Sequence, residues 1–311
     1  MNLVTGAAGF AGSHLLDLLA SAGADLAAWQ RPGGRVPAGH AGVRWESVDM
    51  LDRASVRAAV SRLRPTVVYH CAGAAHVGRA WDRAEHTFAV NVRATHHLLD
   101  ALEETGVAAR VLIPSSALVY KGADRPLTED DPLVPDSPYG VSKLAQEMLG
   151  QHAGAGVRVL VARAFNHMGP RQDPMFAASG FARRIADIER GRWAPEIAVG
   201  NLDAKRDLTD VRDTVRAYQL IVERGEPGRP YNVCSGHAIA IRDLLDMLIA
   251  RAKVRVAIKP DPARYRPNDL PLLAGDPGRI QRELGWTADV PIERTVDDLL
   301  DYWRRVEERQ R

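Results

Sequence analysis

The sequence is poor in cysteine: Cys71 and Cys234 are the only two among 311 residues. Both sit in apolar, strand-like runs. Two thiols make no disulfide framework and lack the spacing of a zinc site, so they read as buried and reduced. Long apolar runs are missing as well. None reaches the ~18 residues that a membrane span requires. Nor is there an excess of charge of one sign, with 41 Lys and Arg against 39 Asp and Glu. A chain that lives on nucleic acid or anionic lipid concentrates basic residues on one face, whereas here Arg is scattered among Asp and Glu. Low-complexity segments and internal repeats are absent, so order is expected along the whole length. Met1-Asn2-Leu3-Val4-Thr5 runs straight into a glycine loop. That leaves no room for a signal peptide, and a cytoplasmic location is the expectation.

What is present is a rhythm. Short β-branched runs at Asn2–Thr5, Asp25–Gln30, Val43–Ser47, Thr66–His70, Arg110–Pro114 and Val157–Ala164 alternate with helical patterns. The helices are expected at Ala11–Ala22, Ser55–Leu63, Val90–Thr105 and Tyr139–Gly150. Such alternation predicts parallel strands with right-handed crossovers, the α/β doubly wound Rossmann sheet. After Ala164 the pattern changes. Helices are expected at Phe176–Arg190, Val211–Arg224, Ile241–Ala252, Pro277–Leu284 and Ile292–Arg309, with short strands at Ile197–Gly200 and Tyr231–Cys234. Residues 1–165 with 206–236 are expected to form the dinucleotide domain. Residues 166–205 with 237–311 are expected to form a smaller lobe over the carboxyl edge of the sheet, where open α/β folds bind ligands.

Gly6-Ala7-Ala8-Gly9-Phe10-Ala11-Gly12 follows the first strand and opens a helix. Gly6 permits a tight turn, Gly9 lets amides approach a pyrophosphate, and Gly12 lets the helix lie close on the strand. The second strand ends in Trp29-Gln30-Arg31. An NAD site places a carboxylate there. Its absence, with Arg31 able to pair a 2′-phosphate, points to NADPH, with NADH possible and a solvated Arg31 as the alternative. Asp49-Met50 follows the third strand, where it would hold the adenine, or Asp49 would cap the next helix. The Cys71-Ala72-Gly73 turn, Asn91 and Phe165 are also expected at the cofactor, although Asn91 equally reads as structural.

Tyr139-Gly140-Val141-Ser142-Lys143 puts a phenol and an ammonium one helical turn apart. A lysine charge favours the phenolate, which would bring the tyrosine towards its working range. The fifth strand ends in Pro114-Ser115-Ser116, so a hydroxyl from Ser116, or from Ser115, would reach the same reacting oxygen. His96-His97 lack partners for a metal, and none is expected.

With its glycine loop, strand-end serine and Tyr-x-x-x-Lys, the chain resembles the extended short-chain dehydrogenase/reductase superfamily along essentially its whole length. The resemblance implies Ser116 as hydrogen-bond donor, Tyr139 as acid/base and Lys143 on the nicotinamide ribose. The Ser-x-x-x-Tyr spacing of Ser116 and Tyr120 matches that of the superfamily, and Ser115 does not keep it. Arg163–Gln172, Phe181–Ile185, Lys205-Arg206-Asp207 and Arg266-Pro267-Asn268-Asp269 resemble enzymes acting on GDP-mannose derivatives, above all the GDP-6-deoxy-D-mannose reductase group. This implies a GDP-linked keto-deoxysugar substrate held by Asn166, Arg183, Arg206, Arg266 and Asp269, and a homodimer built on Val90–Leu102 and Val141–Leu149. His76 either contacts the sugar or packs elsewhere. The related 4,6-dehydratases keep a Glu two residues before the tyrosine of the serine turn. Here that position is Leu118, which carries no proton, so reduction without elimination is expected. An epimerase or a reductase of another nucleotide sugar is the rival enzyme. A dinucleotide-sensing regulator is the non-enzymatic one, though such proteins commonly lose the tyrosine or lysine.

Overall fold

Strands rich in Val, Leu and Ala, followed by turns that carry glycine, build the first half of the computed structural model, which describes residues 1–34, 36–37, 39–40, 42–265 and 270–308. In chain order they are β1 (Asn2–Thr5), α1 (Phe10–Ser21), β2 (Leu26–Gln30), β3 (Arg44–Ser47), α2 (Arg53–Leu63) and β4 (Val67–His70). Two short helices follow, α3 (Val77–Asp82) and α4 (Ala84–Phe88). A π turn at Ala89–Arg93 then leads into α5 (Ala94–Glu104), β5 (Ala109–Ser116), α6 (Pro138–Gln151) and β6 (Val157–Ala164). The remaining elements are β7 (Asn166–Met168), α7 (Ala177–Glu189), β8 (Glu196–Val199), β9 (Lys205–Asp210), α8 (Val211–Arg224), β10 (Pro230–Val233), β11 (Ala238–Ala240) and α9 (Ile241–Ala250). The chain closes with β12 (Ala257–Pro260), β13 (Leu272–Leu273), α10 (Gly278–Leu284) and α11 (Ile292–Glu308).

Seven strands in the order β10-β6-β5-β4-β1-β2-β3 form one sheet, parallel throughout. The order reverses direction at β1 and β4, and the loops after these two strands therefore meet at the switch point. Both faces are covered, as a parallel sheet requires. On one side Leu15, Leu16 and Leu19 of α1 pack with Val215, Tyr218 and Ile221 of α8. On the other, Val56 and Val60 of α2 pack with Leu98 and Leu102 of α5. No helix among the described residues is long and apolar enough to cross a membrane.

The expected strand rhythm is present, with β1, β6 and α8 at their anticipated bounds. The uninterrupted helix expected at Val90–Thr105 is instead broken by the π turn around Asn91. The strands β7, β9, β11, β12 and β13 carry no apolar alternation and escape sequence reading. Lys205–Asp210 looks like a charged loop, but it is the centre of a second sheet, flanked by β11 and β13 and paired with β7. It lies outside the seven-stranded sheet. Two buried carboxylates make this possible. Asp207 accepts from the amides of Ser235 and Gly236, and Asp210 from the Arg212 amide and the Thr295 hydroxyl. An apolar cluster of its own, including Ile185, Leu245, Leu248, Leu299 and Leu300, lies behind this region.

The crossing from β6 to β7 is fastened to the first helix. His14 bonds the Pro170 carbonyl at 2.8 Å, Arg171 pairs with Asp17 at 2.5 Å, and Phe10 stacks on His167 with ring centroids 5.6 Å apart. Inside the large domain, Arg163 of β6 and Glu147 of α6 form an ion pair at 2.9 Å with both side chains almost fully buried. Ser115 donates to the same carboxylate, while Arg163 also donates to the Tyr120 hydroxyl and the Glu129 carbonyl. With its partners removed, either charge would be stranded in a low dielectric. Glu147→Leu is expected to lower unfolding free energy by about 3–5 kcal/mol, read from urea denaturation at unchanged slope. A loss below about 1 kcal/mol would show that the pair carries no such role.

Candidate active site and nucleotide cavity

Gly6 has φ +62°, and a Cβ there would stand 2.6 Å from the Ala72 nitrogen. The loop after β1 thus touches the loop after β4, a contact open only to glycine. A Cβ on Gly12 would lie 2.4 Å from the Gly6 carbonyl, so α1 starts directly on the strand end. The α1 N-terminus has no side-chain cap and no acidic residue in its first turn, which leaves its amides to an anion. Phe10 and Ala11 begin that helix, half-buried. Arg31 is exposed at the end of β2. Asp49 is exposed and accepts from the Leu51 amide at 2.9 Å. It does not cap α2; Asp52 does, accepting from Ala54. Met50 packs on the core formed by α2 and α5. Both cysteines are free thiols, and burial pushes Cys71 up to about 12.

Asn91 is fully buried. Its side chain holds both backbone groups of Ala74 and donates to the Ser142 hydroxyl of α6 at 2.9 Å. The π turn places this amide between loop and helix, a common use of such bulges near functional sites. It fastens the loop that carries Gly73, whose Cβ position is 3.8 Å from the Lys143 Nζ. Phe165 is a buried core residue. Its ring packs with Tyr120, Leu127 and Cys234, and its own amide and carbonyl are bonded to Val233 and His167.

Helix α6 begins at Ser137, which caps Gly140, with Pro138 in the first turn. A Cβ on Gly140 would fall 2.3 Å from the Leu118 carbonyl. This close approach brings Tyr139 against the turn that carries Ser116. Ser116 is hydrogen-bonded to Tyr139 and also accepts from the Leu118 amide. Ser115, the alternative, faces away and is spent on Glu147. Lys143 donates to the Pro114 carbonyl at 2.8 Å and to Gln146 at 2.9 Å.

Burial dominates the electrostatics. It pushes Tyr139 up to about 12, with the Ser116 bond pulling back, and it brings Lys143 down to about 8 against the pull of Cys71 and Glu147. The expectation that Lys143 would lower the tyrosine is corrected here, since its Nζ lies 5.9 Å from the Tyr139 ring centroid and burial outweighs it. At neutral pH the pair is therefore a neutral phenol and an ammonium, an acid rather than a base. Leu118 is partly buried among apolar neighbours. Tyr120 donates to Asn232 at 2.6 Å and lies under Arg163, and burial raises its pKa further, so it is a structural phenol.

A cavity of about 380 Å³ opens beyond this centre, lined by Phe176, Phe181, Arg183, Arg184, Trp193 and Arg264 among others. Its Phe176 ring stacks on His76 at 4.6 Å, and His76 also approaches Asp173 at 3.8 Å. His76 thus backs the wall that joins cavity to cofactor loop. Of the arginines expected to converge, Arg183 lines the cavity and packs over Trp303 at 5.3 Å. Arg206 is absent from its lining and donates to the carbonyls of Lys205 and Leu270. Arg266 and Asp269 lie outside the described residues. Asn166 is exposed at the start of β7. Sequence reading missed Arg184, Trp193 and Arg264. Trp193 is exposed and 3.9 Å from the Arg184 guanidinium.

Residues 3–299 match the family model described as GDP-mannose 4,6 dehydratase. The GDP-6-deoxy-D-mannose reductase of Pseudomonas aeruginosa is 36% identical over 96% of each chain. Among solved structures, RMD from Pseudomonas aeruginosa complexed with NADPH superposes with a TM-score of 0.84, at 32% identity over 98% of this chain and 99% of that one. The UDP-glucose 4-epimerase of Thermotoga maritima with UDP-glucose superposes at 0.87, with 27% identity over 99% of this chain and 100% of that one. The chain belongs to the GDP-mannose 4,6-dehydratase family, within the extended short-chain dehydrogenase/reductase superfamily.

Proposed function

We propose that the protein reduces the C4 keto group of GDP-4-dehydro-6-deoxy-D-mannose to GDP-6-deoxy-D-mannose with NADPH. The observation that carries this reading is the serine turn. Between Ser116 and Tyr120 it presents Leu118, and Tyr120 itself is locked, so among the described residues of this turn and of α6 Tyr139 is the group placed to give up a proton. A dehydratase needs a further acid and base for water elimination. A ketone reduction needs one proton, and one is supplied. The 36% identity to a GDP-6-deoxy-D-mannose reductase favours the same substrate. An epimerase remains the second reading, favoured by the likeness to UDP-glucose 4-epimerase.

The residues present fit a dinucleotide. The uncapped α1 amides suit a pyrophosphate, the glycine contacts leave the loop open to it, and Arg31, exposed after the end of β2, would pair with a 2′-phosphate. NADPH bound there supplies the hydride. Lys143 holds the nicotinamide ribose, and Tyr139 gives its proton to the C4 oxygen as charge develops there. Ser116 donates to the same oxygen, so both interactions strengthen in the transition state. The arginines and Trp193 of the cavity receive the nucleotide, with forked donors for the diphosphate and a flat face for the base. Val141 and Met148 of α6 and Trp81 of α3 are exposed on one side of the active-site helix, and this is the face we assign to a second copy. The leucines of α5, expected to share it, are buried against the sheet instead.

Absorbance at 340 nm is expected to fall stoichiometrically when the keto sugar is generated in place by a separate dehydratase. Net consumption of no cofactor, with an isomerised sugar, would replace the reductase by the epimerase. Tyr139→Phe is expected to cut kcat by about 10²–10⁴ while NADPH binding persists. Because Lys143 is an ammonium only below about 8, while Tyr139 stays protonated to about 12, activity should hold towards neutrality and decline as pH rises through 8. A flat profile to pH 10 would contradict the role given to Lys143. Arg31→Asp is expected to weaken NADPH at least about tenfold and NADH little, by titration of cofactor fluorescence.

A further inference from the structure

Lys143 has three N–H donors, and two of them are already directed, to the Pro114 carbonyl and to the Gln146 side-chain oxygen. Tetrahedral geometry then fixes the direction of the third, which is the one left for a ligand. Gln146 is itself held. It is almost fully buried, and its amide nitrogen donates to the Thr95 hydroxyl at 2.6 Å. Thr95 places its own proton on the Asn91 carbonyl, also at 2.6 Å. The contact of His70 Nε2 with Thr95, 2.9 Å, therefore requires the imidazole to donate. Nδ1 of His70 is left as an acceptor, and the Thr5 hydroxyl at 2.8 Å donates to it. Thr5 in turn accepts from the amide of Ala72, the residue that Gly6 abuts. Every proton in the series has one consistent place. Burial holds His70 down at about 3, so the ring stays neutral and the directions do not reverse near neutral pH.

We propose that Gln146 is a positioning residue that aims the Lys143 ammonium at the cofactor, and that the buried series Gln146–Thr95–His70–Thr5–Ala72 sets this aim in register with the glycine loop. The series ties α6 to β4 and β1 through side chains that none of the roles assigned above to Ser116, Tyr139 and Lys143 requires. The inference rests on that reading of the site. The titratable groups facing the ammonium are His70 of β4, Cys71 in the turn after it, and Tyr139 and Glu147 from α6, while β5 offers only a carbonyl. Altering Gln146 leaves the direct partners of all four in place, whereas altering Thr95 also removes the acceptor of the His70 Nε2 proton.

The test reads the lysine directly. The chain has five lysines, so ¹³C-lysine NMR of the full-length protein gives a small set of Cε signals, with Lys143 assigned by Lys143→Arg. Gln146→Leu removes the acceptor and is expected to move the Lys143 midpoint down by about one pH unit, the worth of a hydrogen bond to a charged group. Thr95→Val leaves lysine and glutamine in place but unties the glutamine, and a smaller shift in the same direction is expected. Gln146→Glu offers a carboxylate and should raise the midpoint; it keeps the test open if Gln146→Leu does not fold. NADPH affinity of Gln146→Leu, from cofactor fluorescence, should fall about tenfold at pH 7. An unmoved midpoint in the Gln146 variants overturns the proposal. A shift in Gln146→Leu with none in Thr95→Val reduces it to a lone pair and overturns the series. Neither NMR outcome depends on which sugar is reduced, so failure of the reductase assay is a separate result.

Discussion

Helix α6 turns a polar face into the protein, and satisfying that face organises much of the molecule. Tyr139, Ser142, Lys143, Gln146 and Glu147 are all buried on it. A helix normally packs through apolar side chains, because each buried polar atom without a partner costs about as much as a whole hydrogen bond contributes. Here the partners come from everywhere nearby. Ser116 and Pro114 come from β5, Arg163 from β6, Asn91 from the π turn and Thr95 from α5. The helix can sit in one place only, since a slide of one residue would strand an ammonium, a carboxylate and a phenol at once.

The same face separates two kinds of chemistry at one helical turn. At Glu147 the carboxylate is committed to Arg163 and Ser115 by direct hydrogen bonds. At Tyr139 and Lys143 the groups are equally buried but incompletely committed. Burial makes one a weaker acid and the other a less willing cation. A structural pair and a reactive pair thus differ in what surrounds them, more than in depth.

The large sheet was legible because parallel, doubly covered strands must be apolar runs between amphipathic helices, and Asn2–Thr5 and Val157–Ala164 show this plainly. Tyr139, Lys143 and Ser116 could be picked out by spacing, since a helical turn and a strand end are local features. The second sheet was not legible. Lys205–Asp210 is a strand on account of amides and hydroxyls supplied by residues 25 or more positions away, which no local pattern records. The π turn escaped for the same reason: Asn91 is turned inward by Ala74 and Ser142, not by its neighbours in sequence. Among the arginines, identity was readable but destination was not. Arg206 ends on backbone carbonyls, while Arg184 and Arg264 reach the cavity.

The clamp of α1 on the β6–β7 crossing has a mechanical consequence. His14, Asp17 and Phe10 grip Pro170, Arg171 and His167, so the segment leading from the large sheet to the cavity is a strut anchored to the helix whose first turn faces the cofactor. A joint that would let the two parts swing cannot sit there. A nucleotide sugar bound as proposed would rest against a crossing held in place by this clamp, in a cavity that Trp193 and Arg264 also line.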